Sequence, residues 1–202
     1  MIDMVAFQKA TNVSRETLER LAVYESLLAK WQKTINLVGP KTLNDTWGRH
    51  FLDSAQLFPL LPESTRTLVD LGSGAGFPGL VLAILGVPEV HLIESDVRKA
   101  AFLREAARAT GAPATVHNKR IEAVSGLQAD VVTARALAPL KDLLDWAFPL
   151  IGERGVALFL KGQNVEDELT DTTKYWKMQT ERFDSITDPT GSILRMSGLV
   201  RV

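Results

Sequence analysis

The sequence predicts an α/β protein built on a mostly parallel sheet, and three observations carry that expectation. Short apolar runs alternate with amphipathic stretches through the middle and end of the chain, the order that lays helices over both faces of a parallel sheet. The run Leu68-Val69-Asp70-Leu71 passes straight into the glycine-rich turn Gly72-Ser73-Gly74-Ala75-Gly76-Phe77-Pro78-Gly79, a strand, turn and helix start that suit a nucleotide-bearing ligand. Polar residues stand where four apolar runs end, Asp70, Glu94, Arg135 and Lys161, and in a parallel sheet such ends share one rim.

Taken in chain order, Leu18, Leu21, Tyr24, Leu28 and Trp31 recur at three- and four-residue spacing behind Ser14, which predicts a capped helix over 14–31. A second helix is expected to begin near Asn44 or Asp45 and to stack Trp47, Phe51, Ala55 and Phe58 on one side until Pro59 and Pro62 stop it. Two helices thus precede the first strand, a helical extension of residues 1–62 packed on a domain of residues 63–202. After the glycine turn the pattern reads helix 77–85, strand 89–94, helix 97–109 closed by Thr110-Gly111, strands 114–117 and 129–134, helix 139–148, strand 155–160 and helix 164–174. The last runs, 176–183 and 192–202, read as two extended strands joined around Asp188-Pro189-Thr190-Gly191, an antiparallel edge.

Composition narrows the function. At 202 residues, 46% hydrophobic and 23% charged, the chain suits one substantial domain with a small appendage. A net charge of -1 argues against coating bare nucleic acid by bulk electrostatics, although Arg98, Lys99, Arg104, Arg108, Lys119 and Arg120 make one stretch locally basic. The lack of cysteine excludes disulfides, thiolate metal sites and a cysteine nucleophile, and with it covalent C5 methylation of pyrimidines. No apolar segment reaches the length of a membrane span and the start lacks a secretory signal, so the expected location is cytoplasmic, with no membrane and no metal.

Gly72, Gly74 and Gly76 are expected to adopt backbone angles that a β-carbon forbids, keeping the turn tight and open to close approach by a ligand. Pro78 suits the first helical turn, whose free N–H groups favour anionic or lone-pair-bearing groups. Gly74, Gly76 and Gly79 also satisfy the dinucleotide pattern. Asp70 separates the two possibilities: a carboxylate there suits the ammonium of S-adenosylmethionine and repels a pyrophosphate. Glu94 lies at the distance where an acid holds ribose hydroxyls, which both cofactors carry. An NAD-dependent oxidoreductase is therefore the alternative enzyme. A non-enzymatic RNA-binding module is the alternative of another class; it needs no small-molecule affinity at the turn and calls for exposed aromatic platforms that the sequence does not display.

Taken together, Ile35-Asn36-Leu37, Arg49-His50-Phe51-Leu52-Asp53-Ser54, the turn from Asp70 to Gly79, Ile121-Glu122, Arg135-Ala136 and Leu160-Lys161-Gly162 resemble the bacterial small-subunit ribosomal RNA guanine-N7 methyltransferase family, also called glucose-inhibited division protein B. The resemblance spans nearly the whole chain. It implies a class I S-adenosylmethionine-dependent methyltransferase fold, Rossmann-like, with a mostly parallel seven-stranded sheet, an antiparallel C-terminal strand and the helical N-terminal extension. It implies S-adenosylmethionine as donor and a guanine of 16S ribosomal RNA, conventionally numbered 527, as acceptor, naked or within the small ribosomal subunit or its precursor. Carried over residue by residue, cofactor contacts fall on Gly72, Phe77, Ile121, Glu122 and Arg135, with Asp70 and Glu94 matching the wider fold's ammonium and ribose ligands, beside Gly74 and Gly76 of the turn. Ala134 departs from the serine that many relatives carry before the arginine.

Guanine N7 has a lone pair and no proton, so attack on a sulfonium methyl needs no general base. Arg135 and Lys161 are expected to position base or phosphate near the methyl group, with Arg135 alternatively serving the cofactor carboxylate. On the second helix, Arg49 and Asp53 stand four apart, as do His50 and Ser54, and all four are expected on the face opposite Trp47, Phe51 and Phe58, lining the cleft entrance and receiving RNA.

Overall fold

The computed structural model describes residues 2–202. Strands β1 (Thr67–Leu71), β2 (Glu89–Ile93), β3 (Ala114–His117), β4 (Ala129–Arg135) and β5 (Ile151–Lys161) run parallel, followed by β6 (Trp176–Asp184) and β7 (Ser192–Arg201). They form one seven-stranded sheet in the order β3-β2-β1-β4-β5-β7-β6, with β7 antiparallel to both its neighbours. Consecutive strands step outward from β1 to β3, then the chain crosses back to place β4 on the other side of β1. That reversal is where ligands of open α/β sheets bind.

The central strands are apolar almost throughout because both faces are covered. Leu68, Leu92, Val131 and Leu158 enter one cluster, shared with the N-terminal helices, while Val69, Ile93, Val132 and Ala157 enter a second cluster on the opposite face. Alternate side chains along each strand thus anchor different layers. Helices α4 (Gly79–Leu85) and α5 (Val97–Thr110) cover the first face, and α6 (Leu140–Ala147) and α7 (Val165–Thr172) the second. The helix expected over 77–85 starts only at Gly79, with Pro78 as the residue preceding it, and β5 begins four positions before the expected strand at 155.

Before the sheet stand α1 (Met4–Thr11) and α2 (Arg15–Trp31). Ser14 caps α2, its Oγ accepting from Thr17 N–H at 3.1 Å, and Leu18, Leu21, Tyr24 and Leu28 are buried. Helix α1 is absent from the sequence expectation. Asp3 caps it by accepting from Ala6 N–H at 2.8 Å, and its one buried residue, Phe7, meets Trp47 edge-on at 5.3 Å between ring centres. The expected second helix is a broken run instead: a 3-10 turn at Leu43–Asp45, a π-turn at Trp47–Leu52, the single turn α3 (Asp53–Ala55) and a 3-10 turn at Phe58–Leu60. The wider π-turn rotates successive side chains away from the ideal helical positions. Trp47, Phe51 and Ala55 stay buried, but His50 and Ser54 turn inward as well, while Phe58 is exposed. Among the described residues no helix is long and apolar enough to cross a membrane.

Candidate functional site

The turn after β1 has the backbone its glycines were expected to supply, with φ of +59° at Gly72, +57° at Gly74 and +95° at Gly76. The space around the three differs. A β-carbon at Gly76 would lie 2.5 Å from the hydroxyl oxygen of Tyr24 and 3.0 Å from Leu80 Cβ. On its β-carbon side Gly76 therefore makes room for α2 and α4, a packing role in addition to the cofactor contact expected of it. Through that gap the fully buried Tyr24 donates its hydroxyl to the carbonyl of Ala75. At Gly72 the space is filled by Leu137, whose Cδ1 would be 2.6 Å from the added carbon, whereas Gly74 faces nothing nearer than the Gly72 carbonyl at 3.8 Å. The open part of the cradle is Gly74.

Asp70 lies under this turn, wholly buried, with Oδ1 accepting from the Thr133 hydroxyl at 2.7 Å and Oδ2 without a partner. Burial pushes its carboxyl up to about 6, against the opposing pull of the Thr133 hydrogen bond, of the nearby Ser73 hydroxyl and Gly79 N–H, and of the more distant charge of Arg135. A buried acceptor lacking a donor is costly, and a cationic donor brought to it would offset that cost. Glu94 braces the turn from the next strand: Oε2 accepts from Gly74 N–H at 2.8 Å and Oε1 from Asp96 N–H at 2.7 Å. Each of its oxygens keeps a second lone pair for a hydroxyl. Ile121 and Glu122 open a 3-10 turn beyond β3, Ile121 partly buried against the second cluster and Glu122 exposed.

At the end of β4, Arg135 is held on several sides. Its Nη1 donates to Asp53 Oδ2 at 3.1 Å and to the Arg49 carbonyl at 3.2 Å, its Nη2 lies 3.2 Å from His50 Nδ1, and its guanidinium stands 4.9 Å from the centre of the Phe77 ring. His50 stacks on that same ring, 4.8 Å between centres and 15° from parallel. Burial, then the charges of Arg135 and Arg49, lowers the imidazole to about 3, so it is neutral at physiological pH. Accepting from arginine assigns its proton to Nε2, which donates to Thr42 Oγ1 at 2.9 Å. Of the four residues expected on one face at the cleft entrance, Arg49, His50 and Asp53 line a common cleft, Arg49 exposed, Asp53 paired and His50 largely buried, while Ser54 is corrected to a fully buried residue with its hydroxyl on the His50 carbonyl at 2.7 Å. The π-turn is the physical reason.

Lys161 shares the rim but is not a free cation. Its Nζ pairs with Glu168 of α7 at 2.6 Å and donates to the Ala138 carbonyl at 3.0 Å, and its side chain is only 9% exposed. It lines the cleft with Arg135 and also anchors the chain there, tying down the loop after β4. In that loop Ala136 has φ of +49°, a conformation costing a residue with a β-carbon about 1 to 2 kcal/mol. The Arg135 contacts flank it on one side and the Lys161 bond to Ala138 on the other, and Leu137 of the same loop lies against the glycine turn.

Between the segment from Leu37 to Asp53, the ends of β4 and β5, and the β6–β7 turn lies a cleft of about 370 Å³, lined by Arg49, His50, Asp53, Arg135, Lys161 and Asp188 among others. The β6–β7 turn is the wall that sequence reasoning missed. Thr187 donates to Asp53 Oδ1 at 2.5 Å, and Gln56 Oε1 accepts from Ile186 N–H at 2.9 Å. The only signal for it was the Asp188-Pro189-Thr190-Gly191 turn, which reads as a strand connection. Among the described residues no cluster of three metal-ligating side chains occurs.

Strand order, glycine turn and the acid ending β2 define a class I S-adenosylmethionine-dependent methyltransferase fold. M. jannaschii TYW2 in complex with AdoMet shares it, with a TM-score of 0.59 and 16% identity over 84% of this chain and 80% of that one. Within that class the chain belongs to the family described as rRNA small subunit methyltransferase G, which matches residues 17–192. A relative named Ribosomal RNA small subunit methyltransferase G from Paramagnetospirillum magneticum is 62% identical over 191 residues, 95% of this chain and 93% of the relative. One of the same name from Rhodospirillum centenum is 64% identical over 191 residues, 95% of this chain and 88% of the relative.

Proposed function

We propose that this protein transfers the methyl group of S-adenosylmethionine to N7 of a guanine in 16S ribosomal RNA. The observation that carries the reading is the junction at Phe77, where the glycine turn under which Asp70 lies meets the cleft walled by His50 and Arg135. The cofactor, when bound, supplies an electrophilic methyl group. The residues present suit it: Asp70 offers a buried Oδ2 without a donor, Gly72 and Gly74 present the turn, Glu94 has lone pairs for ribose hydroxyls, and Phe77, Ile121, Glu122 and Arg135 flank the same rim.

No residue has to remove a proton, because N7 carries none. His50, neutral and engaged at both ring nitrogens, is a wall and not a base. Rate then comes from holding the base in line, an effect worth roughly 7 to 11 kcal/mol in favourable geometry. Arg135 supplies that rigidity from the cleft side, and the exposed Arg49 faces the phosphates. The low net charge favours RNA already folded on ribosomal proteins, in the small subunit or its precursor, over free strands. The reading places the protein's work in the cytoplasm.

The test is transfer of radiolabelled methyl from S-adenosylmethionine to 16S RNA lacking the N7 methyl group, offered naked and in small subunits, with the label mapped by N7-specific strand cleavage. Label at one guanine is expected. Cofactor binding without label on either form would retain the fold and discard the substrate.

A further inference from the structure

Two carboxylates line the cleft, and they are not equivalent. Asp53 is engaged at both oxygens, Oδ2 by Arg135 at 3.1 Å and Oδ1 by Gln56 at 3.0 Å and Thr187 at 2.5 Å. Asp188 accepts at Oδ1 from the N–H and hydroxyl of Thr190, at 2.9 and 2.8 Å, while its Oδ2 accepts from no group among the described residues. The two Thr190 hydrogen bonds hold the Asp188 carboxyl below the usual carboxylate range, so it is ionised at neutral pH.

Its position is fixed in advance. Gly191 N–H closes on the Asp188 carbonyl at 2.9 Å, and a β-carbon at Gly191 would lie 3.2 Å from Asp188 Cβ. The turn is in turn latched to the N-terminal segment, through Thr187 on Asp53 and Ile186 on Gln56. The same cleft is lined by the apolar residues Leu37, Val38 and Leu160 and by Arg49, whose charge reaches Asp188 and which forms no ion pair among the described residues. An apolar slot with one oriented anionic acceptor and one cation complements a nucleotide: a flat base, a donor on its edge and a phosphate.

Of the two purines only guanine carries an amino group at C2, and that group lies across the ring system from N7. An acceptor gripping it leaves N7 free to react. We infer that Asp188 selects guanine by accepting a hydrogen bond from the 2-amino group at Oδ2. The inference rests on the guanine-N7 reading above.

Inosine, which is guanosine without that amino group, tests it. Small-subunit RNA carrying guanine or inosine at the target position, made by ligating a synthetic segment, is offered to the wild type and to Asp188→Ala, and kcat/KM is compared. The wild type is expected to prefer guanine at least about tenfold, the worth of one charge-assisted hydrogen bond. In Asp188→Ala the guanine rate falls and the preference collapses toward one, with S-adenosylmethionine affinity unchanged as the check on folding. Equal use of both bases by the wild type overturns the inference even if the variant does not fold, as does full discrimination retained by Asp188→Ala. No transfer to guanine RNA by the wild type would overturn the guanine-N7 reading itself, a different failure from equal use.

Discussion

Arg135 Nη2 lies 3.2 Å from His50 Nδ1, and both side chains rest against the ring of Phe77, so the end of β4, the π-turn and the glycine turn meet at one point. Replacing Arg135 by Ala removes three hydrogen bonds and leaves the Asp53 carboxylate, 16% exposed, without its ion-pair partner and with only Gln56 and Thr187 as donors. Methyl transfer is expected to fall by at least about a hundredfold while the fold survives with a loss on the order of 1 to 3 kcal/mol. The His50 imidazole should rise from about 3 once the neighbouring charge is gone, which proton NMR reads directly. Near-normal turnover would remove Arg135 from the site.

Asp70→Asn is expected to stabilise the protein in a pH-dependent way. The carboxyl is raised from 3.8 to about 6 on folding, so the folded state holds the proton more tightly. Stability is then fully present below about 4 and is lost as pH rises to about 6. The isosteric amide does not ionise, so its advantage should be absent at pH 4 and reach about 2 to 3 kcal/mol at pH 7.5. Denaturant melts across that range measure it, and parallel curves would disprove the buried charge. The same variant should bind S-adenosylmethionine roughly ten- to hundredfold more weakly, a loss of function accompanying a gain in stability.

Two alanines separate the roles of neighbouring glycines. Gly74→Ala meets open space at a φ of +57°, so about 1 to 2 kcal/mol of strain is expected together with a strong loss of cofactor affinity. Gly76→Ala forces its methyl group against Tyr24 and Leu80 and should chiefly unfold the protein. Calorimetry beside cofactor titration distinguishes them; equal melting temperatures for the two would contradict the geometry.

Tyr24→Phe keeps the packing against Phe51, Phe77 and Phe102 and deletes only the donor to the Ala75 carbonyl. An unsatisfied buried carbonyl costs about 1 to 3 kcal/mol. The melting point should drop by several degrees, and S-adenosylmethionine should bind more weakly because the turn has lost its brace. A drop in stability with cofactor affinity intact would restrict Tyr24 to the core.

How much of this was legible in the sequence depended on the range of the forces involved. The strands, the glycine turn and the rim of Asp70, Glu94, Arg135 and Lys161 follow from local periodicity, and each lies where expected apart from the early start of β5. Helix α1 escaped because one buried residue, Phe7, gives no periodic stripe; the Asp3 cap was its only mark. The fate of Arg135 and Lys161 could not be read, since their partners Asp53 and Glu168 arrive by tertiary folding, the first from 82 positions away. Ser54 was misplaced because spacing rules assume an unbroken α-helix, and the π-turn at Trp47–Leu52 shifts the phase of the residues that follow it.

The strained backbone at Ala136 sets a limit on engineering. Glycine there would relax the left-handed conformation, and a search guided by stability alone would select it. Glycine also admits backbone conformations that alanine does not, so with the same anchors at Arg135 and Lys161 the loop carrying Leu137 would have more alternatives open to it, and the more durable protein would be the less committed one. Ala136 is a position where thermostability and a single loop geometry are bought against each other.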